Sequence, residues 1–158
     1  MWLRPIRPDD ATALQRAFAR MDLRDKRARL FAPVSELTDQ AAQEFCAIDS
    51  THELCLVLEA DDEPGEILGG CRLMGDPSER TAEFAVSLRS DIKRQGLGHA
   101  LLATLLDCAT QMGFETVWGS ILADNTAMRV LAKELGFRIS RDPDDFALLK
   151  AEFKIPTS

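Results

Sequence analysis

The sequence contains no tyrosine, and its 158 residues include only two histidines and four cysteines. Without tyrosine, no phenol is available as a proton donor. The cysteines, Cys46, Cys55, Cys71 and Cys108, are widely spaced and form no CxxC pair. With so few histidines beside them they are poor material for a metal site, and no metal is expected. Scattered thiols of this kind read as small buried apolar residues in a reducing compartment, not as a disulfide framework. No apolar run approaches the roughly 20 residues of a membrane span, and the opening "MWLRPIRPDD" lacks the apolar stretch of a secretion signal. A cytoplasmic protein with no membrane partner is expected. Positive charge is also short: 19 Lys and Arg stand against 26 Asp and Glu, a net charge of −7. That balance repels nucleic acid. It suits a cationic partner, such as an amine or a lysine-rich protein, or serves solubility alone.

What is present is an ordinary globular composition, 46% hydrophobic and 28% charged, in a chain long enough to bury one good core. One domain over 1–158 is expected, as a monomer or weak dimer. "LRPIRP" (3–8) predicts a short strand, since its prolines forbid helix and suit an edge. A helix follows from a cap at Asp9 or Asp10, with Leu14, Phe18 and Met21 on one face. A short basic helix is expected over 23–33. Another is expected over 38–48 from a Thr38 cap. Three strands, 53–60, 67–74 and 81–88, are separated by short turns rich in Asp, Pro and Gly, the pattern of an antiparallel meander. Residues 96–112 carry a broad apolar helical face, closed by Gly113. A buried strand (116–123), a helix (124–135) closed by Gly136, and strands at 137–140 and 146–155 complete the order. The fold class is α/β: a mixed, mostly antiparallel sheet with flanking helices and one parallel crossover through the 96–112 helix.

The stretch "KRQGLG" (93–98) carries the chemistry. Gly96 and Gly98 sit where a strand gives way to a helix, whose first turn leaves amides unpaired at the positive end of the dipole. Glycine lets those amides approach an anion, and Lys93 and Arg94 add mobile positive charge; the combination suits a phosphate or pyrophosphate. A P-loop is excluded because the chain has no Gly-Lys pair. A dinucleotide fingerprint fits badly, because Leu101 takes the third glycine position and the preceding strands form a meander.

The loop resembles that of the GNAT superfamily of acetyl-CoA-dependent N-acetyltransferases, Gln/Arg-x-x-Gly-x-Gly/Ala, with Lys93 in the first position. "NTAMRVLAKELGF" (125–137) is similar to the family's Asn-plus-helix segment ending in Gly-Phe, and the element order agrees along essentially the whole chain. "RLFAPVSEL", "AIDSTHELCLV" and "RTAEFAVSLRSDIKRQGLGHAL" further resemble the acetyltransferase domain of bacterial Pat-type protein lysine acetyltransferases. The resemblance implies acetyl-CoA as cosubstrate, with its pyrophosphate on the amides of 94–99, so that Lys93, Arg94, Gln95, Gly96, Leu97, Gly98 and His99 form the binding loop. It also implies a splay between the 81–88 and 116–123 strands, a pantetheine arm paired with the backbone of Val86 and Leu88, and a contact from Asn125, which by residue type is equally a plain helix cap.

A lysine ammonium titrates near 10.4, so only about 0.04% is nucleophilic at pH 7, and deprotonation costs roughly 4.6 kcal/mol there. A base lowers that barrier. Alternation in "TAEFAVSL" puts Glu83, Ala85 and Ser87 on one face and Phe84, Val86 and Leu88 on the other. The family places a general base at Glu83; a salt-bridged or strand-end role is the alternative. Many family members use a Tyr in the last helix as general acid. That position is Ala132 here, leaving water, Cys108 or Ser120 as substitutes. Trp2 and Trp118 are expected as core or sheet-face aromatics. The basic run 24–30 is either a solvated helix face or a flank of the acceptor groove, and Glu36, Asp39, Glu44 and Asp49 are candidate contacts for a cationic acceptor. The expected reaction is acetylation of a protein lysine by direct attack. A small-amine acetyltransferase and a non-catalytic acyl-CoA-binding module are the alternatives.

Overall fold

The computed structural model describes residues 1–22, 37–76, 78–92 and 96–156. Seven strands form one sheet: β1 (Trp2–Pro5), β2 (Glu53–Glu59), β3 (Ile67–Asp76), β4 (Thr81–Leu88), β5 (Thr116–Leu122), β6 (Arg138–Arg141) and β7 (Leu148–Lys154). Their spatial order is β1-β2-β3-β4-β5-β7-β6. Every neighbouring pair is antiparallel except β4–β5. Four α-helices are described: α1 (Ala11–Ala19), α2 (Asp39–Cys46), α3 (Leu97–Met112) and α4 (Thr126–Glu134). The expected α/β class, meander and parallel crossover through α3 are all present. The expected helix over 23–33 lies outside the described residues.

The two faces of the sheet differ because residues in register share a face. On one face Leu73, Ala82, Phe84, Val117, Ile121 and Ala151 are buried against Leu101, Leu102, Leu105 and Ala109 of α3 and Ala132 of α4. Each fully buried leucine contributes about 1.5–3 kcal/mol, so this layer fixes α3 and with it the glycine loop. On the opposite face α1 and α2 cover β2 and β3 through Ala13, Ala17, Cys46, Val57 and Ile67. Their entry is held by charge: Arg4 forks onto both carboxylate oxygens of Asp10 at 2.8 Å and onto Glu59 at 3.0 Å, all largely buried.

The helix caps divide. Thr38 caps α2 as expected, accepting from the Ala41 amide at 3.1 Å. Asp10 occupies the cap position of α1, but its carboxylate turns back to the Arg7 amide at 2.7 Å and to Arg4. No helix among the described residues is long and apolar enough to cross a membrane. Cys46 and Cys71 are buried free thiols, as expected, and Cys55 and Cys108 are half-buried.

Candidate active site

β4 and β5 pair over only three positions, Thr81–Thr116, Ala82–Val117 and Glu83–Trp118. Both strands then continue, to Leu88 and Leu122, without pairing to each other. The expected splay therefore opens immediately after Glu83. A reason lies in the side chains: a Cβ built on Gly119 would stand 2.5 Å from the ring of Phe84. The Phe84 ring lies across Gly119 and packs edge-on against Phe137 at 5.2 Å, so an aromatic wedge sits at the fork. Beyond it β4 is paired through β3 alone, with Val86 opposite Cys71 and Leu88 opposite Gly69. Its other edge faces the gap.

Gly96 caps α3 with φ +77, a conformation that favours glycine. The first helical bond runs from the Ala100 amide to Gly96 at 3.2 Å, so the amides of Leu97, Gly98 and His99 precede the intrahelical ladder. Gly98 has a packing reason as well as the one its sequence suggests: a Cβ there would meet Leu131 Cδ1 at 3.0 Å. It lets α3 approach α4. His99 is exposed in the first turn. Lys93, Arg94 and Gln95 lie outside the described residues, as do Glu36 and the basic run 24–30.

Asn125 caps α4, its Oδ1 accepting from the Met128 amide at 3.2 Å, which leaves its side-chain amide as the group able to donate. Asp39 and Glu44 accept from Gln15 and Gln40, and Asp49 accepts from the Thr51 amide and hydroxyl, bonds that hold its carboxyl below the usual range. All three shape local structure.

Glu83 is half-buried, with Met74 and Trp118 as its register neighbours. Continuing across the same face come Glu152 opposite Trp118, and Lys150 opposite Ser120. The Lys150 ammonium stands 5.4 Å over the Trp118 ring and 3.6 Å from Glu152. Trp118 is a sheet-face aromatic; Trp2 is largely exposed at the β1 edge, with Arg4 over its ring at 5.9 Å. Of the two side chains considered as proton donors, Ser120 shares the face of Glu83. Cys108 packs toward the apolar core from α3, its thiol pushed up by burial and by Asp107. Ala132 is fully buried. Among the described residues no cluster of potential metal ligands occurs.

A cavity of about 650 Å³, counted out to its open mouth, lies between α1, α2 and this face of the sheet. Ala85 and Ser87, the next residues on the face of Glu83, form its floor with Arg72, and Phe18, Met21 and Phe45 are among its apolar walls. Sequence reasoning missed Arg72, although the signal was the one that marked Glu83: a charge inside an apolar strand.

This architecture, a parallel pair splayed beside a glycine-capped helix, is that of acyl-CoA-dependent transferases, and comparison with known proteins agrees. The family model for the acetyltransferase (GNAT) domain matches residues 1–138, and the chain belongs to that family. An acetyltransferase of Pseudomonas aeruginosa is 29% identical over 145 residues, covering 90% of this chain and 77% of the relative. Among solved structures, the GNAT domain of S. lividans PAT superposes with a TM-score of 0.87 at 22% identity, covering 97% of this chain and 89% of that one. A Salmonella typhimurium protein solved with its cofactor acetyl-CoA gives 0.77 at 21% identity, covering 100% and 95%. The protein is an N-acetyltransferase that uses acetyl-CoA.

Proposed function

We propose that the protein acetylates a primary amine by direct attack on the thioester, with Glu83 as general base. The observation that carries this reading is the placement of Glu83 at the last β4–β5 register pair, where the sheet opens. The pyrophosphate of acetyl-CoA rests on the amides of the 94–99 loop, at the free N-terminal turn of α3. The pantetheine arm lies in the gap along Val86 and Leu88, and the Asn125 side-chain amide donates to it. A β4 amide facing the gap stabilises the thioester oxygen as charge develops there.

Glu83 takes the ammonium proton, directly or through one water. The amine lone pair forms the C–N bond, the C–S bond breaks, and the departing thiolate takes up the second proton as the new amide nitrogen sheds it. With a thiol pKa not far above the cysteine value near 8.5, that leaving group needs little acid help. This fits a chain with Ala132 at the family's tyrosine position. Residue-level resemblance to Pat-type enzymes supports a protein lysine as acceptor. The apolar, open-mouthed cavity beside Ala85 and Ser87 favours a second reading, a small amine.

The test is acetyl-CoA turnover by wild type and Glu83→Gln against lysine peptides and small amines side by side. The variant is expected to bind acetyl-CoA normally in a calorimeter and to lose about 10²–10⁴ in kcat. Normal turnover by the variant removes Glu83 from the role of base. Binding without turnover of any amine by wild type makes the protein an acyl-CoA-binding module.

A further inference from the structure

Among the described residues Arg72 is the one charged side chain lining the cavity, and its hydrogen-bonding capacity is incompletely met. It stands on β3 opposite Ala85 of β4, with a side chain only 11% exposed. Its Nε is buried with no hydrogen-bond partner. The nearest carboxylate, Glu53, lies 4.0 Å from Nη2, beyond hydrogen-bond reach. That oxygen, Oε2, already accepts from the Asp49 amide at 3.0 Å. The remaining contact is the Phe45 ring, 5.4 Å from Cζ. Buried guanidinium groups are normally satisfied by a fork of acceptors, because an unmet donor forfeits its hydration. A cavity wall holding such a group is complementary to an anion that arrives with a ligand.

The register places that anion. Arg72 faces Ala85 directly, so Glu83 is its diagonal neighbour on the same face, at a side-chain base separation of about 7–8 Å. One small molecule can span that distance if its carboxylate and its amine are close together. Apart from Ser87 on the floor, the cavity is lined by apolar residues such as Phe18, Met21, Phe45, Ile6 and Val57, and takes a hydrocarbon side chain.

Resting on the acetyltransferase reading above, we propose that the acceptor is an α-amino acid with an apolar side chain: Arg72 holds its carboxylate, the cavity its side chain, and Glu83 faces its amine. Arg72 is then a specificity-determining residue. It supplies a planar, two-pronged donor that suits a carboxylate.

The test uses matched pairs, L-leucine with isoamylamine and L-phenylalanine with phenethylamine, beside a lysine peptide with uncharged flanks. Steady-state kinetics are measured for wild type, Arg72→Gln and Arg72→Lys, and binding of each compound to CoA-saturated enzyme is measured by calorimetry. Wild type is expected to favour the amino acid over its decarboxylated partner by about 30-fold or more in kcat/KM. Arg72→Gln is expected to abolish that preference through KM, with the plain amines unchanged within about threefold, and Arg72→Lys to restore part of it. A purely structural Arg72 would lower kcat/KM for both members of a pair alike, which overturns the proposal. So does an unchanged preference in Arg72→Gln, or a wild type that prefers the peptide to both amino acids. In these cases turnover itself persists and the acetyltransferase reading stands. Failure of that reading shows differently, as acetyl-CoA binding with no amine turned over; amino-acid binding that still depends on Arg72 would then support the pocket, and its absence would sink it.

Discussion

Glu83 and Trp118 are the last residues that β4 and β5 hold in register, and one position later the strands part. The carboxylate therefore sits at the vertex of the fork while the pairing behind it, Ala82 with Val117, anchors the vertex in the fully buried core. A carboxylate in this position is held by paired strands on one side and faces the gap between β4 and β5 on the other, the placement the proposed base requires. Precision of that order matters, because a displacement of about 1 Å in an active site costs on the order of 10²-fold in rate.

The fork itself can be closed by mutation. In Gly119→Ala the new Cβ meets the Phe84 ring at 2.5–2.8 Å, closer than side chains tolerate, so the ring must move. A destabilisation of about 1–3 kcal/mol is expected, with a raised Kd for acetyl-CoA as the gap changes shape. Phe84→Leu in the same background should recover most of both. Urea denaturation and calorimetry read the two effects, and simple additivity of the two substitutions would contradict the wedge.

The glycine loop gives a second pair of variants. Gly96→Ala places a Cβ at φ +77 in open space, costing about 1–2 kcal/mol of backbone strain at the α3 cap. Gly98→Val leaves φ untouched and pushes against Leu131 Cδ1, which already stands 3.0 Å from the position of a Cβ. Both are expected to weaken acetyl-CoA binding. Leu131→Ala should rescue Gly98→Val and leave Gly96→Ala unimproved, since only the former is a packing fault.

Most of the fold was legible because it rests on periodicity. The alternation in "TAEFAVSL" and the broad apolar face of 96–112 each encode one buried side, and the observed β4 and α3 begin and end within one residue of the expected bounds. The glycine at the start of that helix was legible locally too, Gly96 taking a positive φ at the α3 cap. Four features were not, because they exist only between elements distant in the chain or in side-chain contacts that residue type does not reveal. Arg72 comes to face Ala85, and Lys150 comes to cover Trp118, through register that no local pattern carries. Asp10 looked like a helix cap because its residue type and position suit one. Its carboxylate instead answers Arg4, since a buried guanidinium that went unpaired would cost more than an uncapped helix end. Gly98 was read as making room for an anion; the room it makes for Leu131 was not legible.

Buried thiols should be inert. Burial pushes Cys71 up to about 12 and Cys46 to about 11, so at pH 8 each is almost wholly protonated. Only the thiolate attacks a disulfide reagent. Relative to an unperturbed cysteine near 8.5, the thiolate fraction of Cys71 falls by on the order of 10³-fold. Timed labelling with an aromatic disulfide, read by mass spectrometry, should find Cys46 and Cys71 unmodified until urea unfolds the chain. Rapid modification of either in the native protein would show that the core breathes there.

The Arg4–Asp10–Glu59 cluster makes the most pH-sensitive prediction. Burial opposes the charge on Asp10, but hydrogen bonds from Arg4 and the Arg7 amide outweigh it and hold the carboxyl below its ordinary range. Asp10 titrates near 3.9 in an unfolded chain and lower in the fold, so the folded state binds fewer protons between those values. Its stabilising contribution is therefore complete above about pH 5 and is lost as the pH falls through the depressed folded value. Asp10→Asn removes the charge and leaves Arg4 buried with Glu59 as its only carboxylate, which should cost about 3–5 kcal/mol at pH 7. Urea midpoints measured from pH 7 to pH 3 should converge for wild type and variant as acid neutralises the native carboxylate. A constant gap across that range would mean that Asp10 acts through shape rather than charge, and Arg4→Met, which removes the buried cation instead, should then be as costly at pH 3 as at pH 7.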